Sequence, residues 1–220
     1  MHMDLTCFQW TRERRNVILW GEFLLLFIGM PTLCYFHVLR LHPMAIIWIV
    51  SLFCATALLR DRKFDLSRFW KISGWKAHVP RAVLRFAAVA TVLGSLAFYL
   101  GGSESYSHLQ GHSPVFFTLF FYPILSVYPQ GIIYRGFLFH RYQDLFPDHR
   151  LLILASALVF GYGHIIYDQP ATVGLTMAGG LFFAWTYSRT GSLILAGAEH
   201  ALYGDFIFAA GLWRYFFHHG

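Results

Sequence analysis

Three side chains able to do chemistry stand inside apolar runs of membrane length: Arg135 in YPQGIIYRGFLFHRY, His164 in FGYGHIIYDQP and His200 in LAGAEHALYGDF. Each is expensive in hydrocarbon and needs a partner, a water-filled cavity or a catalytic task. Two imidazoles facing one another in a sheltered cavity can hold a divalent metal such as zinc, with His164 and His200 as its ligands, or orient a water for attack on an amide. Hydrolysis also needs a base and a group that stabilises the oxyanion. Taken singly, an intramembrane histidine is equally well explained by a hydrogen bond between helices. Two at matching depth beside a buried arginine favour a site. Measured from the cytoplasmic ends of their spans at about 1.5 Å per residue, Gln130 lies roughly 15 to 18 Å deep, His164 roughly 20 Å and His200 roughly 14 Å, so all three can share one layer.

The elements that must position these groups follow from composition. With 57% hydrophobic and 13% charged residues over 220 positions, the chain reads as a polytopic helical membrane protein rather than a water-soluble globule. Apolar stretches that can cross a bilayer fall at about Val17–Val38, Met44–Leu59, Ala82–Leu100, Pro114–His140, Leu151–Tyr167, Ala171–Tyr187 and Gly191–Trp213. The expected fold is all-α, a transmembrane bundle of about seven spans, with residues 1–220 forming a single integral membrane domain. Cationic residues crowd one side of this alternation: Arg12, Arg14, Arg15, Arg60, Arg62, Lys63, Arg68, Lys71, Lys76, Arg81, Arg85, Arg141, Arg150 and Arg189. The other side holds Arg40 and Arg214. The asymmetry predicts a cytoplasmic N-terminus.

A formal charge of +6 does not indicate nucleic acid, because the basic residues form no aromatic-interleaved face; anionic lipid headgroups suit them better. Cys7, Cys34 and Cys54 show no paired spacing and read as small apolar fillers. The segment RDRKFDLSRFWKISGWKAHVPRAVLR mixes cations with aromatics and suits the cytoplasmic interface. GGSESYSHLQGHSP reads as a polar turn outside the membrane. In the second half, small residues recur at four-residue spacing: Ala157 and Gly161, Gly174 and Ala178, Gly180 and Ala184, Gly197 and Ala201. Such pairs let transmembrane helices approach closely.

The polar motifs resemble those of the CPBP intramembrane proteases, which include the type II CAAX prenyl endopeptidases and bacteriocin-processing proteins. That family's pattern is Glu-Glu-x-x-x-Arg, then Phe-x-x-x-His, then His-x-x-x-Asn. Arg135 with Gly136 matches the end of the first motif, Phe160 and His164 match the second, and His200 matches the start of the third. The resemblance covers residues 114–210, as the catalytic core. It implies an endopeptidase acting on a membrane-anchored or prenylated peptide, located in a bacterial or archaeal plasma membrane. In the family a glutamate and a histidine activate water, while histidine and asparagine stabilise the oxyanion.

Gln130 and Gly131 stand where the family has its glutamates, and Gly204 stands where it has asparagine. Of the catalytic set, His164, His200 and Arg135 carry over. Gln130 can bind a water or a carbonyl, but an amide is no general base. A glutamate at 131 would share a face with Arg135, so Gly131 is expected to be the decisive change, leaving the arginine to find another acceptor. At 100° per residue, Glu199 lies about 100° and Asp205 about 140° around the helix from His200. They are the candidate substitute carboxylates, with Glu22 more distant. The alternative to an active protease is a catalytically silent family member that binds a peptide, lipid or partner. A transporter is less favoured, because no inverted repeat or paired broken helix is evident.

Overall fold

The computed structural model describes residues 5–101 and 119–212. The expected polar turn around Ser103–His112 and the basic residue Arg214 lie outside them, as does the side chain of Cys7. The described residues form seven helices and no strand. α1 spans residues 5–35, with a widened turn over Leu25–Gly29. α2 is Pro43–Arg60 and α3 is Trp75–Gly101. α4 runs over residues 119–142. α5 is His149–Tyr162, ending in a tightened turn at Gly163–Tyr167. α6 is Pro170–Thr190 and α7 is Leu193–Ala209. Among the described residues, four stretches are long and apolar enough to cross a membrane, Arg12–Tyr35, Pro43–Arg60, Trp75–Tyr99 and His149–Tyr167.

Local chemistry explains where these helices start and stop. The chain reverses between α1 and α2 at His37, whose φ is 55°. His42 then caps α2, its ring accepting from the Met44 N–H ahead of Pro43 at the first helical position. Asp148 accepts from the N–H groups of Arg150 and Leu151 and so starts α5. Gly191, with φ of 59°, closes α6 where a side chain would be strained, and the Ser192 hydroxyl caps α7 through the Leu195 N–H. α3 begins seven residues before the apolar run that marks it in the sequence, because its first turns are amphipathic rather than apolar.

Helix α4 carries the polar motif and is the least regular. Pro123 and Pro129 each lack an N–H and crowd the preceding turn. The backbone responds with widened turns over Pro123–Val127 and Ile132–Phe137, in which the N–H of Tyr128 bonds the Pro123 carbonyl and that of Leu138 bonds the Ile133 carbonyl. Five-residue spacing of this kind favours functional positions, because it re-aims side chains without ending the helix.

One apolar core joins α1, α2 and α4 through Phe23, Phe27, Leu58, Phe137 and Tyr142, and reaches Leu193 at the start of α7. A second, built by Phe160, Phe183 and Tyr203, joins α5, α6 and α7. The small residues divide by role. A Cβ on Gly161 would fall 2.1 Å from Met177 Cγ, and one on Gly180 would fall 3.1 Å from Ala157 Cα, so these two glycines set the α5–α6 approach. Gly174 has nothing within 4 Å. Outer positions such as Leu25, Leu52, Phe53 and Val92 are exposed, as expected of a surface solvated by lipid chains.

Candidate functional site

His164 sits in the tightened turn that ends α5, one step beyond the regular helix. Its Nδ1 lies 2.7 Å from the Phe160 carbonyl oxygen. A carbonyl only accepts, so Nδ1 carries the proton and Nε2 presents its lone pair. Thr32 and Tyr35 on α1 bracket this turn: the Thr32 hydroxyl meets the Tyr162 hydroxyl at 2.8 Å, and the Tyr35 hydroxyl donates to Asp168 at 3.0 Å.

His200 projects from α7 onto the aromatic cluster. Its ring stacks on Phe183 with centroids 4.5 Å apart, and Phe160 meets it edge-on at 5.3 Å. The same Phe160 ring meets His164 at 4.9 Å. Both imidazoles therefore lean on one phenylalanine. They line one cavity of about 470 Å³, together with Gln130, Ser126, Tyr122 and Gly204. Gln130 is held by its amide, which donates to the Ser126 hydroxyl at 2.8 Å.

Arg135 is 1% exposed. Its Nε and Nη2 have no hydrogen-bond partner, and no salt bridge among the described residues includes it. Aromatic faces take the place of a carboxylate: the guanidinium lies 4.4 Å from the Phe160 ring centre and 5.2 Å from that of Phe183. Arginine suits such stacking because its charge is delocalised and weakly hydrated. The sequence points to an acceptor for this charge, and the structure supplies two π-faces.

A Cβ built on Gly131 would meet only Leu193 Cδ2, at 3.7 Å, and Gly131 lines neither cavity beside the histidines, whereas Gln130 lines both. Of the two positions, Gln130 is the one that lines these cavities. The substitute carboxylates are engaged elsewhere or lie off the cavity wall. Glu199 accepts from Arg85 on α3 at 2.7 and 3.2 Å and from the Thr186 hydroxyl, and lies 3.7 Å from His78. Asp205 does not line the cavity, and its Oδ1 is buried without a hydrogen-bond partner. Glu22 is tied to Arg141 at 2.8 Å and to the Tyr142 hydroxyl at 2.9 Å.

Sequence reasoning missed Tyr122. Its hydroxyl lies 3.3 Å from His200 Nε2, and its ring fills the space above Gly204. A Cβ at 204 would come within 2.4 Å of Tyr122 Cε1 and 2.5 Å of its hydroxyl. The absence of a side chain at 204 and the presence of the tyrosine are one structural fact. No spacing rule links them, because they lie on different helices.

The donor set does not fit zinc. No group of three or more His, Cys, Asp or Glu side chains able to hold a metal occurs among the described residues. Two imidazoles fall short of the three or four protein ligands such a site uses. What the arrangement offers is an acceptor nitrogen on His164, the Tyr122 hydroxyl beside the His200 imidazole, and the Gln130 amide, all lining one cavity.

Residues 112–204 match the family model described as Rce1-like, type II CAAX prenyl endopeptidase Rce1-like. No curated protein and no solved structure matches the chain. The matched stretch supplies every side chain of the histidine cavity that comes from α4 and α5, together with His200 and Gly204. Over this segment the chain is similar to the type II CAAX prenyl endopeptidases, with Gln130 and Gly131 at the positions of the two glutamates in the motif pattern.

Proposed function

We propose that the chain is an intramembrane endopeptidase that hydrolyses an amide bond in a membrane-anchored or lipidated peptide, with His164 as its proton acceptor. The observation that carries this reading is the tautomer imposed by the Phe160 carbonyl, which leaves His164 Nε2 free to take a proton inside a sheltered cavity. Water would attack the scissile carbonyl carbon while its proton passes to His164 Nε2. Tyr122, with His200 behind it, would donate to the developing oxyanion. The proton would then pass to the leaving amine nitrogen as the C–N bond breaks, yielding a carboxylic acid and an amine. Gln130 would hold the carbonyl or the water, with no proton transfer of its own. The seven helices cross the membrane with the N-terminus cytoplasmic, in keeping with the distribution of arginine and lysine.

A specific observation favours the second reading, a silent family member that binds such peptides without cutting them. Among the described residues, no carboxylate lines the cavity that holds His164 and His200. Cleavage of a panel of membrane-anchored and prenylated peptides by the purified chain, His164→Ala, Gln130→Glu and Gly131→Glu separates the two. Cleavage by the unaltered chain that His164→Ala abolishes supports the protease. Cleavage by Gln130→Glu alone makes this sequence a silenced scaffold. Recovery by Gly131→Glu but not Gln130→Glu would overturn the assignment of position 130 to the cavity.

A further inference from the structure

A second and larger cavity, of about 800 Å³, lies on the other side of the histidine turn, between α1, α2 and α4. Its size falls within the range of pockets that enclose small ligands. Its walls are apolar, built by Leu26, Phe27, Met30, Ile46, Ile47 and Val50, and most of them come from helices outside the family-matched segment. Gln130, His164 and Tyr167 line both cavities. The loop between α1 and α2 contributes His37, Arg40 and His42 to the larger one.

The charge arrangement is one-sided. Among the described residues, Arg40 is the single lysine or arginine lining the cavity, and no aspartate or glutamate lines it. Arg40 is also the cation that breaks the distribution of basic residues along the first two spans. An exposed arginine at the mouth of a long apolar chamber is complementary to a ligand with an anionic end and an apolar tail. A guanidinium pairs with a carboxylate through two parallel hydrogen bonds, and each methylene taken into the chamber adds to affinity. We infer that the α1–α2 cavity binds a long-chain carboxylate, with its head at Arg40 and its tail along the apolar wall of Leu26, Ile47 and Val50.

The inference goes beyond the hydrolytic reading and does not depend on it, since binding here needs no cleavage. The probe is hexadecanoate with a photoreactive diazirine at its terminal carbon, added to the full-length chain in lipid nanodiscs and followed by peptide mapping. The expected labels fall on Val50, Ile133 or Tyr134. Excess unlabelled hexadecanoate suppresses them, and hexadecyltrimethylammonium at the same concentration does not. Arg40→Glu, at an exposed loop position outside any helix, lowers labelling tenfold or more, and Arg40→Lys retains most of it. Ile47→Trp, which fills the chamber, abolishes labelling without changing the Arg40 mouth. Labels on lipid-facing positions such as Leu24, Leu25 or Phe53, equal competition by the cationic amphiphile, or indifference to Arg40→Glu would each overturn the proposal. Peptide cleavage is measured in parallel, so loss of one activity with retention of the other shows which of the two readings has failed.

Discussion

Gly204→Ala tests the interlock between α4 and α7 at the histidine site. The added methyl would start 2.4 Å from Tyr122 Cε1, 2.5 Å from its hydroxyl and 2.7 Å from Cζ, whereas ordinary contact begins at 3.4 Å. The ring must therefore withdraw by about 1 Å, and it cannot do so freely, because Phe208 packs against it at 5.5 Å and His200 at 6.1 Å. Forcing a methyl into a packed site costs about 1–3 kcal/mol, or about 2–4 °C in melting temperature per kcal/mol for a chain of this length. The decisive assay is a double-mutant cycle with Tyr122→Ala, read by thermal unfolding in one detergent. Tyr122→Ala alone leaves a cavity and lowers stability by about 3–5 kcal/mol, by analogy with other aromatic truncations. In that background the methyl has room, so Gly204→Ala should cost nothing or stabilise slightly, a coupling of about 1–3 kcal/mol. Equal penalties in both backgrounds would show that Tyr122 does not occupy the space above Gly204, and the account of both positions would fall together.

Glu199→Gln should lower stability by about 3–5 kcal/mol in thermal unfolding, because it strands Arg85 beside a buried, hydrogen-bonded site that joins α3 to α6 and α7; combining it with Arg85→Met should recover much of the loss. Gly161→Ala should destabilise the α5–α6 contact and lower the melting temperature by several degrees, while Gly174→Ala should leave it unchanged or raise it, since only the first glycine faces a neighbour. The hydrogen bond from His140, 2.8 Å away, holds the Asp61 carboxyl below its usual pKa. A carboxyl whose folded pKa is depressed contributes stability above its unfolded pKa, and that contribution is lost as pH falls through the folded value. Unfolding of the native chain and Asp61→Asn should therefore differ by a constant margin from neutral pH down to about pH 4, then converge in more acidic buffer.

Much of the architecture is legible in the sequence because it depends on local quantities. Apolar length marks the helices, proline and glycine mark their irregularities and ends, and motif spacing marks His164, His200 and Arg135 as the polar groups to explain. The apolar pattern under-reads α3, whose first turns from Trp75 carry Lys76, His78, Arg81 and Arg85. Four-residue spacing likewise treats Gly161 and Gly174 alike, since it reports a helix face and not what packs on it.

The sequence alone determined an all-helical, membrane-directed chain and the residue types of a histidine-centred site, because composition and periodicity are properties of single segments. Tertiary structure decided the partners. Arg135 rests on Phe160 and Phe183, Glu199 is taken by Arg85, Tyr122 stands over Gly204, and Gln130 rather than Gly131 lines the histidine cavity. Each of those outcomes sets side chains from different helices against one another, or turns on a widened helical turn that shifts direction by a fraction of a residue. Neither is encoded in spacing along one segment, so only the packed bundle could settle them.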